Sequence, residues 1–238
     1  MPPLESALVK KLSAFGELSL EELICLASLQ SDPVKVKRGK ELLEEGHTGH
    51  MVFIIQSGWA NSYKDLPDGG RQIISFPLPG DCVGLRSALL RTSDHSFSAL
   101  TDAYVSAVEA ARMTEVFDEF PRLRAAFMWS AARDEAMVVE HLVSIGRRTA
   151  IERTAHFFME LAERLMLVGL ATETEFKCPL NQYVMADALG LSAIHVNRVL
   201  RLLRERNLIT VRSGSVIIHD LQALRKLASY RSVNLARN

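Results

Sequence analysis

Two stretches of this chain carry residue types that could act on another molecule. The first, "GDCVGLRSALLRTSDHSFSAL" at residues 80–100, sets Gly80 and Gly84 around a turn and then supplies Ser and Thr. Glycines followed by hydroxyls suit a loop whose backbone amides cradle a phosphate. Arg86 and Arg91 are the only cations in the stretch that could neutralise one. The loop either holds an anionic small molecule or is the remnant of a pocket that no longer does.

The second, "CPLNQYVMADALGLSAIHVNRVLRLLRERNLI" at residues 178–209, has a different chemistry. Asn181 can cap a helix that contains Val184, Ala188 and Leu189, with the small Ala186 where a second helix would approach. Gly190 gives a left-handed turn, and Ser192 caps the next helix, whose Val196, Val199, Leu200 and Leu203 form a buried stripe. Between those positions stand His195, Asn197, Arg198, Arg201 and Arg204. Polar side chains first and cations further along is the distribution of a recognition helix, which reads base edges and then touches phosphate. The plainer alternative is a helical hairpin with a solvated basic face. "NLITVRSGSVIIHD" follows with two short β-runs around Ser213-Gly214. Helix, turn, helix and hairpin in that order make a winged helix.

Charge supports a polyanionic partner for this end of the chain. Lys+Arg and Asp+Glu are 28 each, yet residues 147–238 carry fourteen cations against eight carboxylates, a balance of +6. The first 146 residues carry the opposite balance. Either the C-terminal third meets nucleic acid or surface charge has partitioned by chance.

The remaining elements must position these two stretches. Residues 33–110 alternate apolar runs with turn signals, "MVFIIQSGWANSY", "RQIISFPL" and "AYVSAVEA" among them, which predicts an antiparallel sandwich or barrel. "DLPDGGRQ" is a strong hairpin signal. "LSLEELICLASL" reads as a helix with Ser19 as N-cap and Glu22 completing a capping box. Pro121 suits a first helical turn, and no glycine interrupts the chain from there until Gly146. Phe127, Ala131, Asp134, Val138, His141 and Ile145 recur at spacings of three and four, a coiled-coil type of seam. Asp134 and His141 either set its register or lie at its edge. After Gly146, Ile151, Ala155, Phe158, Leu161, Ala162 and Leu165 share one face of an amphipathic helix. The fold expected from these patterns is α+β, with an N-terminal antiparallel β sandwich or barrel within residues 1–120. A dimerisation helix over 121–146 and a winged helix-turn-helix over 147–238 complete it.

The bulk composition excludes several classes. Hydrophobic residues make up 48% and charged residues 24%, as in a folded soluble domain. No apolar run approaches membrane-spanning length, and the first fifteen residues lack the pattern of a signal peptide, so a cytoplasmic protein without a membrane partner is expected. Cys25, Cys82 and Cys178 form no C-x-x-C pair, which argues against a disulfide framework or a multi-cysteine metal site. No cofactor is expected. No G-x-S-x-G, H-E-x-x-H or P-loop spacing occurs, so an enzyme is not expected.

The order of elements resembles the CRP/FNR family of bacterial transcription regulators over roughly residues 15–230. Its most specific pieces are "LLEEGHTGHMVFIIQSGWA", "RQIISFPLPGDCVGL" and "ADALGLSAIHVNRVLRLLRERNLI". Within the family the chain looks closest to FixK-like and related alphaproteobacterial regulators. The resemblance implies that residues 1–120 form a cyclic-nucleotide-binding-type β-roll, and that the protein is a homodimer joined along the central helices, bound to a palindromic operator in double-stranded DNA and contacting RNA polymerase. The DNA contacts it implies fall on Ser192, Ala193, Ile194, His195, Asn197, Arg198 and Arg201.

The same frame tests the opening loop. Cyclic-AMP-responsive members carry a Glu for the ribose after the Gly-Asp turn and an Arg-Ser or Arg-Thr pair for the phosphate. Here Gly80, Asp81 and Gly84 align Leu85 with the Glu, while Asp94 and His95 align with the pair. An aspartate repels a phosphate, so cAMP dependence is not expected unless Arg86 or Arg91 substitutes. An iron–sulfur switch would need a cysteine cluster where only Cys25 stands. Cys82, His95 or Pro2 are conceivable haem ligands, though none sits in a family haem motif. Cys178, three residues before the first helix, is either a redox-sensitive thiol near DNA or an inert, partly buried one. The recognition helix departs from well-known members too, with Ile194 where they place Glu and Arg198 retained.

Overall fold

The computed structural model describes residues 5–48, 50–90 and 92–232, the side chains of residues 87–89 excepted. Arg91 and Pro2, candidates above, lie outside the described residues. The described residues divide into two compact units, one built from residues 5–64 and 74–133 and the other from 65–73 and 134–232.

The first unit opens with helices α1 (Ala7–Ser13) and α2 (Leu20–Leu29). Ser19 caps α2 as its sequence predicts, with the Glu22 carboxylate accepting from the Ser19 N–H and the Ser19 hydroxyl from the Glu22 N–H. Strands β1 (Val34–Val36), β2 (Glu41–Leu43), β3 (Met51–Ser57), β4 (Ala60–Asp65) and β5 (Arg71–Ser75) follow. Next come β6 (Cys82–Val83), the short helix α3 (Leu85–Leu90), β7 (Ser96–Ala99) and β8 (Ala103–Glu109). They form two antiparallel sheets, ordered β1-β8-β3-β6 and β2-β7-β4-β5. Alternation places Ile55, Val83, Ala103 and Val105 of one sheet against Ala60 and Ala99 of the other in a common interior. The outer face of β3 and β8 packs Val52, Ile54 and Val108 against α1, α2 and the helix α4 (Ala110–Glu119).

Helix α5 runs unbroken from Pro121 to Arg147. Its first turns are spent on this core through Leu123, Ala126 and Phe127, and Phe127 meets Phe117 at 5.4 Å between ring centres. Phe127 is thus packed inside its own unit, whereas the sequence expectation sets it on a seam between copies. The apolar residues α5 leaves exposed are Met128, Val138, Val139, Leu142 and Val143. Met128, Val139 and Leu142, with Ala132 and Glu135 between them, recur at three and four, one residue round from the predicted line.

In the second unit Thr149 and Glu152 form a capping box that starts α6 (Ala150–Leu167). Its buried face, Ala155, Phe158, Leu161, Ala162 and Leu165, is the one the sequence marks. Strand β9 (Glu175–Lys177) leads into α7 (Gln182–Leu189) and α8 (Ala193–Glu205). Strands β10 (Ile209–Arg212) and β11 (Ser215–Ile218) then form a hairpin whose turn residues Ser213 and Gly214 both have positive φ. The sheet order is β10-β11-β9, and α9 (Leu221–Ala228) packs back on α6. No helix among the described residues is long and apolar enough to cross a membrane.

Candidate nucleic-acid interface and effector loop

The helix-turn-helix is built by caps and by an apolar stripe. Asn181 Oδ1 accepts from the N–H groups of Tyr183 and Val184 and starts α7. Gly190, in the left-handed region at φ 61°, ends it, and Ser192 Oγ accepts from the His195 N–H to start α8. Val196, Val199 and Leu203 are buried, which orients the rest of α8 outward. Ile194, His195, Asn197, Arg198, Arg201 and Arg204 are accordingly exposed, Ser192 is exposed and Ala193 half-buried. Ile194, at 83% exposure, is the barest large apolar side chain in the described part of the chain. The first turn of α8 holds no carboxylate, so its positive dipole end is unopposed. Arg201 is engaged by Glu205 at 3.7 Å, whereas no carboxylate among the described residues pairs with Arg198.

The stretch at 80–100 folds differently from the cradle its glycines suggest. Gly80 has φ 92°, and a Cβ there would lie 2.7 Å from the Ala7 carbonyl, so α1 fills the approach to this turn. Gly84 is equally tight against the Met51 carbonyl. Asp81 is structural, since one oxygen takes the Lys11 ammonium at 2.6 Å and the other the Leu78 N–H at 2.8 Å. Leu85 begins α3 and packs on the helical core.

The Arg86 guanidinium reaches Asp94 at 3.0 Å, while His95 Nδ1 lies 2.8 Å from the other Asp94 oxygen. His95 stacks on Phe97 at 4.5 Å. Burial pushes the His95 imidazole down, against the pull of Asp94. Burial acts to raise the Asp94 carboxyl, but the facing His95 and Arg86 outweigh it and the net direction is down. Arg86 is thus spent on Asp94, and the cluster offers a phosphate no surplus cation. Deeper in the roll the polar groups pair among themselves, Ser98 with Asn61 at 2.7 Å and Ser62 with Ser75 at 2.8 Å.

The other sequence candidates are placed as follows. Cys178 is 1% exposed, and burial pushes its thiol up to about 11, which leaves no thiolate for oxidation at neutral pH. The redox role is not supported by this geometry. On α5, Ala131 and Val138 are exposed, while Ile145 is half-buried. Asp134 is half-buried with Glu160 in its electrostatic reach, and His141 donates a hydrogen bond to the Ala188 carbonyl. Both side chains thus have neighbours within their own chain.

Sequence reasoning missed Lys11 and Arg153. Lys11 sits in α1, which carries no motif of residue type or spacing. Arg153 donates from Nη1 to the Leu189 carbonyl at 2.5 Å and from Nη2 to those of Ile145 and Arg148 at 2.8 and 3.3 Å. Its acceptors are backbone carbonyls, which leave no residue-type signal.

Comparison with known proteins agrees with this architecture. Residues 33–120 match the cyclic nucleotide-binding domain family, and residues 152–227 the Crp-like helix-turn-helix domain family. The nitrogen fixation regulation protein FixK of Rhizobium meliloti is 32% identical over 196 residues, covering 81% of this chain and 85% of the relative. The chain belongs to the CRP/FNR family. It is a DNA-binding transcription regulator of FixK-like type. The transcriptional activator protein anr of Pseudomonas aeruginosa is 26% identical over 89% of this chain and 86% of its own length. The solved structure of FixK2 from Bradyrhizobium japonicum superposes with a TM-score of 0.74 at 26% identity, covering 84% of this chain and 98% of that one.

Proposed function

We propose that the protein acts as a homodimer on a palindromic operator, joined along α5, and regulates transcription in the cytoplasm by contacting RNA polymerase. The observation that carries this reading is α8, whose bare first turn presents Ile194, His195, Asn197 and Arg198 above a buried stripe. Arg198, with no carboxylate partner among the described residues, is suited to donate two hydrogen bonds to a guanine. Ile194 is an apolar probe for a thymine methyl where better-known relatives place a carboxylate. Ser192, Ala193 and Arg201 line the approach to the backbone, and the β10–β11 turn forms the wing. The exposed α5 residues Met128, Val138, Val139 and Leu142 supply the dimer seam, which excludes Phe127 and His141. The division of labour follows the sequence segments 1–120, 121–146 and 147–238.

We further propose that cAMP is not the signal. The Arg86–Asp94 pair supports this, because the only described cation of the loop is already neutralised. No catalytic role is assigned to any residue.

Selection of bound duplexes from a random library tests the reading. One two-fold symmetric sequence is expected to emerge, bound about a thousandfold or more tighter than random DNA. Its affinity should fall steeply with salt as phosphate counterions are released. Equal affinity for selected and random duplexes would sink it.

A further inference from the structure

Arg153 is half-buried, and no carboxylate among the described residues pairs with it. Its guanidinium donates to three backbone carbonyls, and its Nε is buried with no partner. Ile145 and Arg148 close the C-terminal end of α5, and Leu189 is the last residue of α7. Helix C-termini carry unsatisfied carbonyls and partial negative charge. Arg153 therefore gathers two helix C-termini onto one cation, with a planar fork that a lysine lacks.

The position of this contact gives it a consequence. Leu189 precedes Gly190, the turn of the helix-turn-helix, and Ser192 opens α8 two residues later. A Cβ on Gly190 would lie 3.6 Å from Arg153 Nη1 and 3.9 Å from Ile145 Cγ2, so the turn rests directly on the link. A second link lies one residue away, where His141 of α5 donates to the Ala188 carbonyl. Arg148 is held separately, on Glu140 Oε2 at 2.7 Å and Ser144 Oγ at 2.6 Å, which stiffens the same end of α5. Neither Arg153 nor His141 belongs to the exposed face of α8.

We propose that Arg153, assisted by His141, is a positioning residue for operator recognition, which ties the end of α5 to the turn before α8 and so fixes the recognition helix relative to the dimer seam. The inference rests on the homodimer reading above. In a two-fold dimer the half-sites are about one helical turn of DNA apart, and a rigid link makes binding sensitive to their spacing. A loosened link lets α8 adapt, which weakens binding to the correct operator and relaxes the penalty for a wrong spacing.

The test compares the full-length wild type with Arg153→Gln, Arg153→Lys and His141→Leu. The probes are the selected operator, the same operator with one or two base pairs inserted between half-sites, and random duplex. Arg153→Gln is expected to lose about tenfold in operator affinity, roughly 1.4 kcal/mol, while random-DNA affinity stays within about twofold. Its penalty for an inserted base pair should shrink, and Arg153→Lys, which keeps the charge but not the fork, should fall between. If Arg153→Gln fails to fold, as judged by circular dichroism, His141→Leu must still show the reduced spacing penalty. Sedimentation of the wild type separates the two failures. A monomeric wild type indifferent to spacing defeats the dimer reading and the link with it. A dimeric wild type whose spacing penalty survives in every folded variant defeats the link alone.

Discussion

Arg86 lies 3.0 Å from the Asp94 carboxylate, an internal ion pair at the position that the family resemblance aligns with a phosphate-holding pair. Both side chains are exposed, so the pair contributes little stability. Its effect is on ligand chemistry, because a cyclic phosphate would have to displace Asp94 to reach the cation. Calorimetry should therefore show no saturable heat with cAMP or cGMP, and neither should change operator affinity by more than about twofold. Saturable binding below about 1 mM would overturn this, since that affinity requires about 4 kcal/mol of favourable contact.

Lys11 and Asp81 are a different kind of pair, with side-chain exposures of 6% and 14%. Removing one member of a buried pair leaves the other uncompensated, at about 3–5 kcal/mol. Asp81 keeps the Leu78 N–H, so Lys11→Met should sit near the lower end of that range. Urea unfolding followed by Trp fluorescence reads the loss, as both Trp59 and Trp129 belong to the first unit. An unchanged midpoint would show that the pair is replaceable by water.

How much of this was legible in the sequence depends on the range of the interaction. Caps at Ser19, Asn181 and Ser192 and the hairpin turn at Ser213-Gly214 are local, and residue type alone specifies them. The face of α5 was only half legible. Spacings of three and four fit both the line through Phe127 and the line through Met128, and only the Phe117 contact decides which is spent internally. The 80–100 stretch misled because tight glycines serve a close backbone approach as readily as a phosphate, and here the approaching group is the Ala7 carbonyl. Arg153 was invisible, since its acceptors are carbonyls up to 36 residues away.

Acid should weaken the second unit through His156. Its imidazole is buried against Tyr230, 3.4 Å from Glu140 Oε2 and within reach of Arg148 and His141. Burial first, and then the Arg148 charge, push it down to about 4 from the ordinary 6.5, with Glu140 only partly opposing. Between those values the unfolded chain binds a proton that the folded chain does not, so stability rises with pH across the window and is lost as pH falls. The loss from pH 7 to pH 5 should be about 2 kcal/mol for this group. His141, shifted in the same direction by burial, adds to it. Chemical denaturation at the two pH values, in wild type and His156→Gln, checks the sign. Equal pH dependence in both proteins would remove His156 as the cause.

Cys178 should be inert while the protein is folded. Its thiol is nearly dry and pushed up to about 11 by burial, so the thiolate fraction at pH 7 is on the order of one in ten thousand. A disulfide reagent applied to native protein should modify the partly exposed Cys82 first and reach Cys178 only after denaturation. Operator affinity should not depend on reductant through this residue. Rapid native labelling of Cys178, located by peptide mass, would restore the redox reading.

The exposed stripe on α5 makes the last prediction. Leu142 is 71% exposed and Val139 55%, values that are costly to leave in water on the same helical face. A second copy covering them would exclude water from both, and Leu142→Glu would then place two like charges across the two-fold axis. An interface centre tolerates this poorly, at about 2 kcal/mol or more per truncated anchor. The variant is expected to sediment as a monomer and to lose operator affinity. Its random-DNA affinity per half-site should remain near wild type, because α8 is untouched. Phe127→Ala is the contrasting change, since Phe127 is packed against Phe117 inside the first unit. It should lower the stability of that unit by about 3–5 kcal/mol without dissociating a dimer that still folds. The reverse pattern, dissociation by Phe127→Ala and none by Leu142→Glu, would return the seam to the line first read from the sequence.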